Sequence, residues 1–144
     1  MIKYKNYLNI SYIDIIECAL SLVLFLGILF WFPACGAKED GSYMICHWAG
    51  IAIEAVSTLI LVLSFALAFI PDIKVKMGIG IGIIGATIVN MLIPGTLIKL
   101  CMMDSMQCNA KTKPLTIVFS ALVLVAMIVD YIYYLLSIKK NKKA

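Results

Sequence analysis

Arginine is absent from the 144 residues, histidine occurs once, and charged residues make up only 14% of the chain. Soluble domains carry about 25% charged and 45–50% apolar residues, whereas this chain is 63% hydrophobic. Polar residues are too few to cover a water-facing surface, which argues against a soluble globular enzyme and against a disordered segment. Nucleic-acid-binding proteins rely on arginine for bidentate contacts, so we expect no nucleic-acid partner. His47 is the only histidine, and we expect no Ser-His-Asp set for nucleophilic catalysis.

Most of the sequence consists of long apolar runs. Each is about 20 residues long, the length that a helix needs to cross a bilayer. Only helices and closed barrels satisfy their backbone groups in lipid, and these runs are too continuous for barrel strands. The sequence therefore predicts a single all-α integral membrane domain over residues 1–144, a four-transmembrane-helix up-down bundle surrounded by lipid. The predicted spans are residues 11–32, 49–70, 78–97 and 115–137, and the predicted outer loops are residues 33–48 and 98–114.

The lysines are unequally distributed between the two sides of this predicted bundle. Eight lie on the side of the chain termini, namely Lys3, Lys5, Lys74, Lys76, Lys139, Lys140, Lys142 and Lys143. Four lie on the side of the outer loops, namely Lys38, Lys99, Lys111 and Lys113. Positively charged loops stay on the cytoplasmic side, so we expect both termini in the cytoplasm.

Four of the five cysteines fall in the predicted outer loops: Cys35, Cys46, Cys101 and Cys108. Disulfides persist on that side of a membrane, so we expect two structural disulfides. We favour Cys35–Cys46 and Cys101–Cys108 because each pair closes a short loop, although four cysteines allow three pairings. No quartet of ligands has a recognised metal spacing, so we expect no metal site.

Four helices with both ends inside and a cysteine pair in each outer loop resemble the membrane disulfide oxidases that pass electrons to quinone. This resemblance implies thiol–disulfide exchange, with quinone as the cofactor. The spacings here are C-x10-C and C-x6-C rather than the C-x-x-C of those enzymes. Cys46 is followed by His47, and a neighbouring cation lowers a thiol pKa, which makes Cys46 the candidate reactive cysteine.

The first outer loop contains Cys35, the run Asp40-Gly41-Ser42-Tyr43-Met44, and then Cys46-His47-Trp48. This loop resembles that of an uncharacterised family of small four-helix bacterial membrane proteins, over nearly the whole chain. The resemblance implies a bacterial cell membrane and an accessory role beside permease or ABC-type components. His47 and Trp48 are the candidate residues of the loop, with Trp48 as an anchor at the membrane interface.

Three acids lie in the inner third of the predicted spans without an obvious base: Asp14, Glu17 and Asp130. Ionisable residues inside a membrane are functional candidates by default. Asp14, Glu17 and Ser21 share one helical face, and Asp130 meets them if the first and fourth spans are neighbours. The acids are protonated, reach interfacial water, or pair with a cation from another subunit, and Asp130 has Tyr134 one helical turn away as a hydrogen-bond partner. Glu17 occupies a place similar to the lone carboxylate of the small multidrug exporters, which implies a small proton-coupled transporter.

The outer half of the predicted bundle carries a further polar set. Glu54 and Lys99 lie at matching depths, so we predict an ion pair between them, and Asn90 is suited to a hydrogen bond between helices. Small residues that let helices approach closely recur in the third span at Gly78, Gly82 and Ala86. They serve packing within the bundle or against a second copy.

Taken together, the sequence predicts a non-catalytic integral membrane protein without a cofactor, acting as an accessory or interaction subunit of a permease or ABC-type assembly. The small size, the lack of a catalytic constellation and the acids without an internal base support this expectation. The alternatives are a membrane thiol–disulfide oxidoreductase and a small proton-coupled transporter. The expected partners are the lipid bilayer and either another membrane protein or a second copy of the chain.

Overall fold

The computed structural model describes residues 2–31, 40–99 and 108–143, and almost all of these residues are helical. Short π-helical turns extend the first helix at its end and introduce the fourth. The helices are α1 (Ile2–Leu26), α2 (Ile45–Phe69), α3 (Ile73–Leu92) and α4 (Lys113–Lys143).

Each of the four helices contributes a stretch that is long and apolar enough to cross a membrane. Within the described residues, this finding confirms the prediction of an all-helical fold with four helices able to span a membrane, and it fits a multi-pass membrane protein. The stretches are Tyr12–Trp31, Ile45–Phe69, Ile73–Leu92 and Ala110–Lys139.

Successive helices pack against each other, and α4 returns to pack against α1, so the four helices enclose one interior. The start of α1 and the end of α4 lie at the same end of the bundle, which we call the terminal end. The opposite end, where α2 begins and α3 finishes, is the loop end. Apolar side chains from all four helices, such as Leu24, Ile60, Ile83 and Val123, fill the middle of the interior.

Helix α3 begins earlier than the sequence predicts, at Ile73 rather than at residue 78. A carboxylate oxygen of Asp72 accepts a hydrogen bond of 3.0 Å from the backbone N–H of Lys74 and so caps the helix. The helix also finishes earlier, at Leu92 rather than at residue 97, because Pro94 and Gly95 follow. Gly95 has φ +100°, a conformation that strains other residues.

Helix α2 also begins earlier, at Ile45 rather than at residue 49. Cys46, His47 and Trp48, which the sequence places in the first outer loop, therefore belong to the first turn of this helix. The Met44 carbonyl accepts a 2.9 Å hydrogen bond from the backbone N–H of His47, which closes that turn.

Candidate functional site

A buried ion pair joins α1 to α3 close to the terminal end. The Lys76 ammonium group donates to one carboxylate oxygen of Asp14, and the Tyr134 hydroxyl of α4 donates to the other oxygen. Asp14 is 1% exposed and Lys76 is 5% exposed. Three helices are therefore joined at one carboxylate, and the expectation that the acids lack a base within the chain is wrong for Asp14.

The early start of α3 explains how a lysine reaches the interior. Lys74 and Lys76 are two residues apart, so they point in different directions from the helix axis. Lys74 is exposed, whereas Lys76 lies on the face that also buries Gly80, Ile83 and Thr87. The predicted inner loop therefore loses Lys76, which belongs to the membrane-spanning helix.

Two further acids lie one helical turn deeper than this ion pair. Glu17 of α1 and Asp130 of α4 are each 1% exposed. None of their four carboxyl oxygens has a hydrogen-bond partner among the described residues. The two side chains are close enough to interact electrostatically. Asp130 also interacts electrostatically with Asp14 and Lys76. We call these five residues the acid cluster: Asp14, Glu17, Lys76, Asp130 and Tyr134.

The acid cluster continues into a pair of serines and then stops at apolar side chains. Ser21 donates to the Glu17 carbonyl at 2.9 Å, and its hydroxyl oxygen lies 2.8 Å from that of Ser64 on α2. The next residues towards the loop end are apolar and at most 1% exposed. We call them the apolar band: Leu24, Ile60, Ile83, Val123 and Met127.

A second set of buried polar residues lies on the far side of the apolar band. Asn90 donates through its amide nitrogen to the hydroxyl oxygens of Ser57 and Ser120, at 3.2 Å each. Thr116 lies one turn beyond Ser120 on the same face of α4 and is also fully buried. We call Ser57, Asn90, Thr116 and Ser120 the loop-end cluster. Along α4, Ser120 and Asp130 are about 15 Å apart at the helical rise per residue.

The predicted ion pair between Glu54 and Lys99 is not formed. Glu54 is half-buried in α2, Lys99 is exposed beyond the end of α3, and Lys76–Asp14 is the ion pair found in the described part of the chain. Because α3 ends at Leu92 rather than at residue 97, Lys99 follows a turn and is not part of the helix.

Of the two roles predicted for the small residues of α3, packing within the bundle is largely excluded by their placement, and packing against a second copy stays a prediction. Gly78 and Gly82 are exposed and Ala86 is half-buried, so this stripe faces largely away from the bundle. Gly80 is the residue at a close approach, because a Cβ atom there would lie 2.8 Å from Cε of Met127.

The aromatic residues at the start of α2 lie on the outside of the bundle. The His47 ring stacks on Tyr43 with 4.3 Å between centroids, and it meets Trp48 edge-on at 6.0 Å. Trp48 is 60% exposed, a position in which an interface anchor would lie.

Most of the predicted disulfide chemistry lies outside the described residues. Cys35 and Cys101 are not described, and nothing is described of the Cys108 side chain. Cys46 is buried at the start of α2, and Cys18 is a half-buried free thiol on α1. The two disulfides and the oxidoreductase alternative stay predictions.

Sequence reasoning missed the role of Lys76 and gave Tyr134 the wrong partner, because the Tyr134 hydroxyl donates to Asp14 and not to Asp130. The signal for Lys76 was present in Asp72, because an aspartate just before an apolar stretch marks a helix N-cap, and the helix begins at the next residue, Ile73. The contact between Tyr134 and Asp14 joins residues 120 positions apart, and no local pattern indicates it. In the described chain, no three His, Cys, Asp or Glu residues are arranged to hold a metal ion.

The fold and the site define a class of protein: a small multi-pass membrane protein whose helical bundle has ionisable residues in its interior. Residues 17–134 match the family model described as Domain of unknown function (DUF4418), and the chain belongs to that family. The matched stretch contains Glu17, Lys76, Asp130 and Tyr134 of the acid cluster, and Asp14 lies just before it. The comparisons with curated proteins and with solved structures found no match.

Proposed function

We propose that the protein is a small proton-coupled transporter, in which Glu17 and Asp130 take up and release the coupling proton. The terminal end of the bundle then faces the cytoplasm of a bacterial cell, as the lysine distribution predicts. The loop end faces the outside.

One observation carries this proposal: two acids are buried close enough to interact electrostatically, and their carboxyl oxygens have no partner in the described part of the chain. A buried polar group without a hydrogen bond costs free energy and is kept in few places without a reason. A carboxyl group is also one of the few side chains that can bind and release a proton inside a membrane. Glu17 and Asp130 are therefore suited to proton exchange rather than to holding helices together.

Other residues separate this acid pair from both ends of the bundle. Towards the terminal end, the Lys76–Asp14–Tyr134 contacts lie between the pair and the membrane surface. Towards the loop end, the apolar band of buried side chains separates the pair from the loop-end cluster. A transporter that admits protons from one side at a time needs a barrier on each side of its binding site.

Reconstituted protein tests the proposal. Proteoliposomes containing the internal pH dye pyranine are given a potassium diffusion potential with valinomycin, with and without ethidium as a cation probe. We expect proton flux above that of protein-free liposomes, and we expect both Glu17→Gln and Asp130→Asn to reduce it to the protein-free level.

The matched control is Glu54→Gln. Glu54 is a half-buried carboxylate in α2, and it is not part of the acid cluster. The control variant should retain the wild-type flux. A wild-type flux equal to that of protein-free liposomes, or one unchanged in both acid variants, would overturn the proposed function.

An accessory role beside a permease or ABC-type assembly is the second candidate. The argument from acids without a base no longer applies to Asp14, because Lys76 supplies a base within the chain. Helix α3 nevertheless has an exposed face of small residues. Gly78 and Gly85 have no atom of the described residues within 4 Å of a built Cβ, which leaves room for another helix to approach.

A pull-down in mild detergent, followed by mass spectrometry, tests this second role. A permease or ABC-type subunit that co-purifies with the wild type should be lost with Gly78→Leu. It should be retained with Ala55→Leu, which enlarges an exposed residue of α2. If no such subunit co-purifies with the wild type, the accessory role is refuted.

A further inference from the structure

The loop-end cluster contains buried polar atoms that its own hydrogen bonds do not satisfy. The Asn90 amide nitrogen uses both of its hydrogens on Ser57 and Ser120. The Asn90 carbonyl oxygen and the Thr116 hydroxyl are fully buried, and neither has a hydrogen-bond partner within the described chain. These two groups come from adjacent helices, α3 and α4.

Flipping the Asn90 amide by 180° does not satisfy all of its hydrogen-bonding groups. The oxygen would then accept from the two serine hydroxyls, and both hydrogens of the nitrogen would lack an acceptor. In either orientation, one end of the amide lacks a hydrogen-bond partner. A ligand that can both donate and accept hydrogen bonds satisfies the oxygen in the first orientation and the nitrogen in the second.

The chemistry of the cluster favours a neutral ligand. Ser57, Asn90, Thr116 and Ser120 carry no charge, so they offer no compensation for an ion beyond their oxygen dipoles. A water molecule can donate to the Asn90 oxygen and exchange a hydrogen bond with Thr116. Buried waters in proteins occupy polar sites of this kind, where they complete otherwise unsatisfied groups.

We propose that the loop-end cluster binds a water molecule between Asn90 and Thr116. The site exists whether or not the protein transports protons. It lies across the apolar band from Glu17 and Asp130, on the loop-end side of the bundle. Only a role of this water in proton transfer would rest on the proposed function.

Water-edited solid-state NMR of isotope-labelled protein in liposomes tests the site. We expect magnetisation to pass from water to the Asn90 side chain faster than to Ile60 and Ile83 of the apolar band. Thr116→Val removes one hydroxyl with little change of shape, so transfer to Asn90 should fall to the level of the band residues.

Thr87→Val is the matched control, because Thr87 is equally buried but its hydroxyl already donates to the Ile83 carbonyl at 2.7 Å. This variant should leave transfer to Asn90 unchanged. Transfer in the wild type no faster than to the apolar band would overturn the site, irrespective of proton flux. A shift of the Asn90 signal on replacing choline chloride by sodium chloride, without water transfer, would overturn it in favour of a cation.

The two proposals fail separately. Glu17→Gln should abolish proton flux and leave water transfer to Asn90 intact, because Glu17 lies on the other side of the apolar band. If proton flux is absent but magnetisation transfer from water to Asn90 is present, the result supports the water site and contradicts the transporter function.

Discussion

The ammonium group of Lys76 and the carboxylate of Asp14 lie where an isolated charge would be expensive. Each is stabilised by the other, and Tyr134 supplies a further hydrogen bond to Asp14. Pairing of this kind reduces the cost of burial, but removing one partner leaves the other uncompensated. The contribution of each residue is therefore best measured by removing it alone and together with its partner.

Lys76→Met should lower the free energy of unfolding by about 3–5 kcal/mol, because Asp14 is left as an unpaired buried charge. Denaturant unfolding in mixed micelles measures this change. The control is Lys74→Met, which alters an exposed lysine two residues away and should stay within about 0.5 kcal/mol. Adding Asp14→Asn to Lys76→Met should recover part of the lost free energy of unfolding. A double variant whose loss equals the sum of the losses of the two single variants would contradict the ion pair.

Tyr134→Phe keeps the aromatic ring and removes only the donor to Asp14. A hydrogen bond to a charged group contributes about 1.5–3 kcal/mol, so the same unfolding assay should show a loss of that size. Tyr12→Phe removes an exposed hydroxyl, since Tyr12 is 65% exposed, and should have no measurable effect. Equal stability of the two variants would show that the contact to Asp14 does not stabilise the bundle.

At the scale of the helices, the faces of α3 have separate roles. The face with Lys76, Gly80, Ile83, Thr87 and Asn90 is buried against the other helices. The face with Gly78, Gly82 and Gly85 is exposed. Similar glycines therefore occupy opposite environments, which the repeat of small residues along the sequence does not distinguish.

Gly80→Leu should destabilise the bundle by about 1–3 kcal/mol, the usual cost of overpacking a filled interior. The new side chain would meet Met127 of α4. Gly85→Leu adds the same group where nothing in the described chain lies within 4 Å, so it should be tolerated. Thermal unfolding of both variants in one detergent compares them directly, and equal losses would place Gly80 on the exposed face instead.

The four helices could be predicted from the sequence because span length and hydropathy depend on local composition alone. The start of α3 could not be predicted in this way, since Lys74 and Lys76 resemble loop residues unless the Asp72 cap is considered. The partner of Asp14 lies 62 positions away, so only the packing of the helices identifies it. The face shared by Asp14, Glu17 and Ser21 was accessible from helical spacing, whereas the contacts of Asn90 required the fold.

On the scale of the whole molecule, the interior has two polar zones with an apolar band between them. The acid cluster occupies the zone nearer the terminal end, and the uncharged loop-end cluster occupies the other. The apolar band separates the two polar zones with buried side chains that make no hydrogen bonds. A change of conformation that opens one zone to water can therefore leave the other closed.

The proposed transport requires that Glu17 and Asp130 exchange protons with water although both are buried. Difference infrared spectroscopy of the protein in lipid nanodiscs, between acidic and alkaline buffer, measures the carbonyl stretch of protonated carboxyl groups. We expect a change in this band that is reduced in Glu17→Gln and in Asp130→Asn, and retained in Glu54→Gln. A band that is the same at both pH values, or one that neither acid variant alters, would contradict it.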